Sequence, residues 1–246
     1  MHRLFSSLIV VGLFFISALC APLTASAEED GLFLVNTSIK PPLSTVEESG
    51  ALDVLVRELA RRVGLFAVIV RQPAERAMHS VNDGSSDAEL PRVAGLEKQY
   101  PNLLMVPEKV LDYSFVAFAT RPQVSVEGWD SLGQYALGII TGWKIYENNV
   151  PPESKITWAS DPEQLFKLLE RGRVDLVLHE HFSGGYYARR LGLADVRELA
   201  QPLAVRPMYI YVHKRHEKLV PQLEAALKAM KADGVYDRIM REATGE

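Results

Sequence analysis

Ionisable side chains stand just beyond apolar runs in both halves of this 246-residue chain. In the first half, Glu89 and Arg92 sit three residues apart in Ala88-Glu89-Leu90-Pro91-Arg92. In the second, Leu176-Val177-Leu178 opens into His179-Glu180-His181. A guanidinium grips a carboxylate bidentately, so Arg92 is a candidate anion clamp, with an internal salt bridge as the alternative. His179 and Glu180 suit the remaining polar part of a solute. Thr141-Gly142-Trp143, at an expected helix start, offers backbone N–H groups to an anion or forms an ordinary turn around a packed Trp. Asn36, Thr37 and Ser38 add hydroxyl and amide groups, and Tyr113 either stacks on a ligand or belongs to the core. Arg76 lies on a helix face and reads as an ion-pair partner of Glu75 or Asp87.

The same residues argue against other chemistry. On a strand, His179 and His181 would share a face and two imidazoles suit zinc, but no third ligand is close in sequence. The helical His-Glu-x-x-His pattern is absent. No metal and no cofactor are expected. His181-Phe182-Ser183-Gly184-Gly185 resembles a nucleophile elbow only if its missing first Gly is ignored. A hydrolase is therefore the third reading, behind two non-enzymatic ones.

These groups need elements that hold them together. Gly31–Thr37, Leu65–Val70 and Asp87–Leu90 read as strands. Between them lie an amphipathic helix after Gly50, stopped by Gly64, and a second after Pro73, stopped by Gly84. This β-α-β-α-β order implies a parallel sheet with right-handed crossovers. Val110–Thr120 reads as one long strand. Tyr135–Thr141, Ile156–Ala159 and Val174–Leu178 read as strands of a second unit, with a helix capped by Asp161 and closed by Gly172. Gly84-Ser85-Ser86-Asp87 and Gly172-Arg173-Val174-Asp175 repeat one helix-stop, Asp, strand grammar. Tyr186–Leu191 reads as helix, and Met208–His213 as a strand with two different faces. The last helices begin at Leu219 and Val235. In open parallel α/β sheets, ligands gather beyond the C-terminal strand ends, which is where the candidates above fall.

The ends and the charge narrow the class. His2 and Arg3, the apolar run 8–19 and Ala25-Ser26-Ala27 form a signal peptide pattern over residues 1–27, cleaved after Ala27. Cleavage would remove Cys20, the single cysteine, and with it any thiol nucleophile or disulfide. A formal net charge of −4 argues against nucleic acid and anionic membrane as partners. The expectation is a soluble exported protein.

The chain resembles the type II periplasmic solute-binding proteins of the family 3 kind. The resemblance rests on Pro41-Pro42-Leu43, Gly50, Pro73-Ala74-Glu75-Arg76-Ala77, Asp87-Ala88-Glu89-Leu90-Pro91-Arg92, Ala94-Gly95-Leu96-Glu97, Tyr100-Pro101-Asn102-Leu103 and Asp233-Gly234-Val235-Tyr236, spread over nearly the whole mature chain. It implies an α/β fold of two lobes with mixed sheets and two hinge crossings, near Phe118–Arg121 and Leu203–Arg206. Residues 28–120 with 206–246 would form one lobe and 121–205 the other. It also implies closure on a small polar or anionic solute for a membrane transporter, with a sensory or interaction role as the alternative. The solute would meet Thr37, Ser38, Glu89, Arg92, Tyr113, Thr141, Gly142, Trp143, His179 and Glu180. Amino-acid binders of this family carry Phe-Ser-x-Pro-Tyr where this chain has Leu111-Asp112-Tyr113-Ser114-Phe115-Val116, so the branch is a divergent one.

Overall fold

A computed structural model of the protein describes residues 31–245. The expected signal peptide, Cys20 included, lies outside them. The first unit runs β1 (Leu32–Thr37), α1 (Ala51–Arg62), β2 (Phe66–Arg71), α2 (Ala74–Asn82) and β3 (Ala88–Arg92), with β1 parallel to both other strands. A short β4 (Leu103–Met105) precedes the long β5 (Leu111–Ala119). The second unit runs β6 (Ala136–Ile140), α3 (Lys144–Glu147), β7 (Lys155–Ala159), α4 (Pro162–Glu170), β8 (Leu176–Glu180) and α5 (His181–Arg190), again with the first strand parallel to the other two. The chain then forms β9 (Arg197–Glu198) and β10 (Ala204–His213), and ends with α6 (Val220–Ala232) and α7 (Val235–Thr244).

The strand order β2-β1-β3-β10-β5-β8-β6-β7 makes β10 and β5 the bridge between the two parallel units. β10 pairs antiparallel with β5 over Ala204–Met208, then with β3 and β4 from Tyr209 onward. The expected strand Met208–His213 is thus longer than its alternating part, because Val205 to Pro207 already pair with Ser114 to Asp112. The apolar core changes along both bridging strands. Leu111, Tyr113 and Met208 pack with Phe33, Leu55 and Leu227 of the first unit. Ala117, Ala119 and Leu203 pack with Leu132, Leu137 and Leu176, while Val116 and Phe118 turn to the opposite face against Leu165 and Phe166. The change in β5 therefore falls between Tyr113 and Val116, earlier than the expected Phe118–Arg121.

The repeated Gly-x-x-Asp grammar does one job twice. Gly84 and Gly172 take the left-handed conformation, at φ 84° and 62°, which L side chains adopt at a cost. Each Asp then locks onto the first strand of its own unit. Asp87 donates its N–H to Leu34 O and accepts the Leu34 N–H at 2.7 Å on Oδ2. Asp175 donates to Ala136 O and accepts the Ala136 N–H at 2.9 Å. In each unit a carboxylate thereby satisfies a backbone N–H in the first half of the first strand.

The Pro41-Pro42-Leu43 loop folds back onto the start of α1, where Ala51 N–H and Leu52 N–H donate to Pro42 O and Leu43 O. The approach is close enough that a Cβ on Gly50 would stand 2.5 Å from Leu43 O and 2.7 Å from Ser44 Cα. Gly50→Ala is expected to lower stability by about 2–4 kcal/mol, since backbone on both sides must move. Gly133→Ala, whose Cβ would meet the flexible end of Glu153 at 3.3 Å and the Pro151 ring at an ordinary 3.8 Å, is expected to stay within about 1 kcal/mol of the parent. Urea unfolding of both variants checks this, and equal midpoints would refute the packing argument.

Candidate functional site

β1 and β3 end side by side, and their polar residues divide into fixed scaffold and available groups. Asn36 is buried, donating from Nδ2 to Ala77 O at 3.1 Å and accepting from Ser86 Oγ at 3.2 Å. It holds α2 and the Gly84 turn onto the strand. Thr37 Oγ1 accepts from Ile39 N–H at 3.2 Å and shapes the loop that presents Ser38. Arg92 runs beneath α2, with Nε donating to Met78 Sδ at 3.3 Å. Its Nη2 reaches Ser38 Oγ at 3.2 Å and Ala74 O at 3.4 Å. The guanidinium is thus carried from the strand to the start of α2, where its side chain keeps 14% exposure.

Glu89 lies one turn of side chain below it, completely buried and ion-paired with Arg92. The pair is close but out of hydrogen-bond alignment, and neither Glu89 oxygen accepts a hydrogen bond among the described residues. Burial outweighs the attraction of Arg92 and pushes the Glu89 carboxyl up to about 7. Glu89 is therefore the buried ion-pair partner behind Arg92. Arg76 makes neither expected pair. Glu75 faces His79 and Tyr100, and Asp87 binds Arg215 and His216.

In the second unit, Glu180 ends β8 and caps α5. Its Oε1 accepts from Phe182 N–H at 2.8 Å and its Oε2 from Ser183 N–H at 3.0 Å. Burial raises its carboxyl to about 7 against the pull of those two donors. Each oxygen keeps a second lone pair, so the cap does not exhaust the carboxylate as an acceptor. α5 starts at His181, five residues before the expected Tyr186, so His179 and His181 do not share a strand face. His181 pairs with Glu198 at 2.7 Å. His179 is buried with its ring 4.7 Å from that of Trp143 and 6.3 Å from that of Phe166. Its Nδ1 lies 3.2 Å from Glu180 O, which only accepts, so the proton sits on Nδ1. Desolvation lowers its pKa to about 4 and keeps the ring neutral.

The Thr141-Gly142-Trp143 turn is already filled. Thr141 N–H donates to Ala159 O, Trp143 N–H to Ile140 O, and Gly142 N–H to the Glu147 carboxylate at 2.6 Å. The anion expected at this turn is the chain's own, and Lys144 and the Gly142 N–H together hold Glu147 below the usual carboxylate range. Trp143 instead stacks on Tyr146, with ring centroids 5.7 Å apart and planes 14° apart. Ser183, the candidate elbow serine, is buried in the first turn of α5, and Gly184 is there because a Cβ would stand 2.3 Å from the Phe118 ring.

Tyr113 joins the two halves electrically. It is buried on β5 beside Phe115, and its hydroxyl is pushed well above its ordinary value by burial and by Glu180, with Arg92 pulling the other way. Sequence reasoning missed the end of β2. Thr37 pairs with Arg71 in register, so Arg71 and Gln72 stand at the same strand-end level as the chosen residues. The strand-end rule that selected Thr37 would have found them. They border a hollow of about 550 Å³ that Ser38 and Ala74 share with the Arg92 anchor.

No family model matches the chain. A protein of Shewanella oneidensis described as uncharacterized is 28% identical over 180 residues, 70% of this chain and 67% of that one. Among solved structures, an ancestral arginine-binding protein bound to glutamine superposes with a TM-score of 0.68 at 20% identity, covering 88% of this chain and 99% of its own. The fold is that of the two-lobed type II periplasmic binding proteins. A histidine kinase sensor domain with similarity to periplasmic binding proteins shares it, with a TM-score of 0.66 at 16% identity over 87% of this chain and 95% of that one.

The buried carboxyls carry a pH signature. Glu89 and Glu180 have folded pKa values near 7 against an ordinary 4.5. Their protonated forms favour the fold, so the stability they support is complete below pH 4.5 and is lost as pH rises through 7. Glu89→Gln is expected to remove one of these losses, up to about 3 kcal/mol, and to flatten the decline between pH 5 and pH 8. Urea midpoints of parent and variant at both pH values measure it. An unchanged decline in the variant would show that Glu89 does not titrate in this range.

Proposed function

We propose that the protein is an exported solute-binding protein that captures a small zwitterionic, amino-acid-like solute between its lobes and delivers it to a membrane transporter. The observation that carries this reading is the placement of Arg92 against Ser38 in one unit and of Glu180 opposite Phe115, two residues along β5 from Tyr113, in the other. A guanidinium on one side takes the solute's carboxylate, and a carboxylate on the other takes its ammonium. Ser38 and Tyr113 supply the neutral hydrogen bonds.

On this reading the first lobe comprises residues 28–120 and 206–246 and the second 121–205, with crossings in β5 and β10. The change of core along both strands supports a division in β5 and β10. Contacts from both lobes are complete only when they approach, so solute binding favours the closed arrangement. A periplasmic site, reached by a leader cut after Ala27, is supported by the sequence pattern, and no helix among the described residues is long and apolar enough to cross a membrane. The protein acts as a monomer without nucleic acid, and it is not an enzyme. The burial of Ser183 and the commitment of its N–H to Glu180 support this last point. A sensory role is the second reading, supported by the sensor domain that shares the fold. Both readings use the same solute site and differ in what receives the closed form.

Thermal shift and calorimetry against the twenty amino acids test the reading. A bound solute at a hundred times its Kd is expected to add about 2.7 kcal/mol of stability. Arg92→Ala is expected to weaken binding by tenfold or more, since a hydrogen bond to a charged group is worth about 1.5–3 kcal/mol. No shift for any amino acid, with Arg92→Ala behaving as the parent, would sink it.

A further inference from the structure

The hollow beside Arg92 has one sign of charge. It is bounded by the loop after β1 and the start of the segment after β2, with Ser38, Lys40, Val46, Arg71, Gln72 and Pro73 among its walls, and no Asp or Glu lines it. Its two cations are in different states. Arg71 is held from behind, by Asp53 at 3.3 Å and Glu48 at 3.8 Å. Asp53 is itself buried and accepts from Ser44 Oγ, Thr45 N–H and Gly50 N–H, so the charge of Arg71 is committed to the α1 start. Lys40 is exposed on the loop and has no ion-pair partner among the described residues. Arg92 stands behind the wall of the hollow, where its Nη2 contacts Ser38 Oγ and Ala74 O, two residues that line it.

We infer that Lys40 is a specificity residue and that the site prefers a solute with a second, distal anionic group over neutral or cationic analogues. The inference rests on the solute-binding reading and deepens it. A carboxylate held at Arg92 directs the rest of the molecule either toward the second lobe or into this hollow. Within the hollow a cationic end would face Lys40 with no carboxylate on the wall to receive it, and like charges at close quarters are rejected. A neutral amide end would leave the ammonium of Lys40 in water. An anionic end pairs with it.

L-Glutamate and L-glutamine are nearly equal in shape and differ in that one charge, so their affinity ratio reads Lys40 directly. Calorimetry at low ionic strength is expected to give glutamate at least a tenfold advantage over glutamine and a larger one over L-arginine. Lys40→Met, which keeps the stem and removes the charge, is expected to bring glutamate and glutamine to near parity while glutamine affinity and the melting temperature of the unliganded protein stay unchanged. Lys40→Glu is expected to favour L-arginine over glutamate. Glutamine or arginine binding as tightly as glutamate to the parent, or an unchanged ratio in Lys40→Met, would overturn the inference and leave solute binding intact. Failure of every amino acid to bind would overturn the solute-binding reading itself, and this inference with it.

Discussion

The antiparallel pairing of Leu111–Phe115 with Ala204–Met208 is the constraint on which the rest of the molecule depends. Each parallel unit can build its own core, but the candidate site exists only because these two strands belong to both. Pro207 lies one residue from the end of this bridge, opposite Asp112. Proline gives no N–H to a ladder and is ordinarily excluded from central strands. Here it stands next to the place where β10 leaves β5 and passes to β3, with the register breaking between Tyr209 and Tyr211. A missing donor costs least where the ladder changes partner anyway. Tyr113 comes from the same short stretch, opposite Arg206 and two residues before Phe115, which pairs with Glu180. The bridge between the two units and Tyr113 of the candidate site are therefore in the same few residues.

Much of this architecture was legible because the informative residues act locally. Gly64, Gly84 and Gly172 stop helices by adopting positive φ, a property of the residue itself. The paired Asp87 and Asp175 mark the same point in both units, and their carboxylates repeat the same hydrogen bond. What could not be read depends on contacts distant in sequence. β5 is apolar on both faces for much of its length, so alternation says nothing about where one core gives way to the other between Tyr113 and Val116. α5 was expected too late because Gly184 and Gly185 are poor helix formers, yet Gly184 is what lets the helix lie on Phe118. Glu is not a common cap residue, so the role of Glu180 was hidden until its two N–H partners were visible.

The candidate site was legible in its location more than in its division of labour. The strand-end rule brought Thr37, Ser38, Glu89, Arg92, His179 and Glu180 into view, but it cannot tell a group that meets a solute from one that supports its neighbour. Burial and hydrogen bonding make that distinction. Asn36 and His179 are committed to the interior, Glu89 to Arg92, and the Thr141–Trp143 turn to Glu147. Arg71 shows the opposite error, since the rule applies to β2 as well as to β1 and β3, and its register partner Thr37 had already been chosen.

Burying two carboxyls that each titrate near 7 is a poor way to stabilise a fold. Desolvation of a buried ion pair commonly consumes its Coulomb gain, so the pairing of Glu89 with Arg92 is not explained by stability. It is explained by position. Glu89 fixes a cation at the base of α2, with Ser38 and Ala74 limiting the guanidinium to one orientation. A charge fixed in that way costs little further ordering when an anion arrives. Lys40 differs on both counts, being exposed and without an ion-pair partner among the described residues. A flexible ammonium must lose rotamer freedom to engage, and so it contributes only where the solute carries a charge to meet it. In the proposed site the rigid cation would set where an anion is held, and the exposed one would discriminate among the molecules that the rigid one admits.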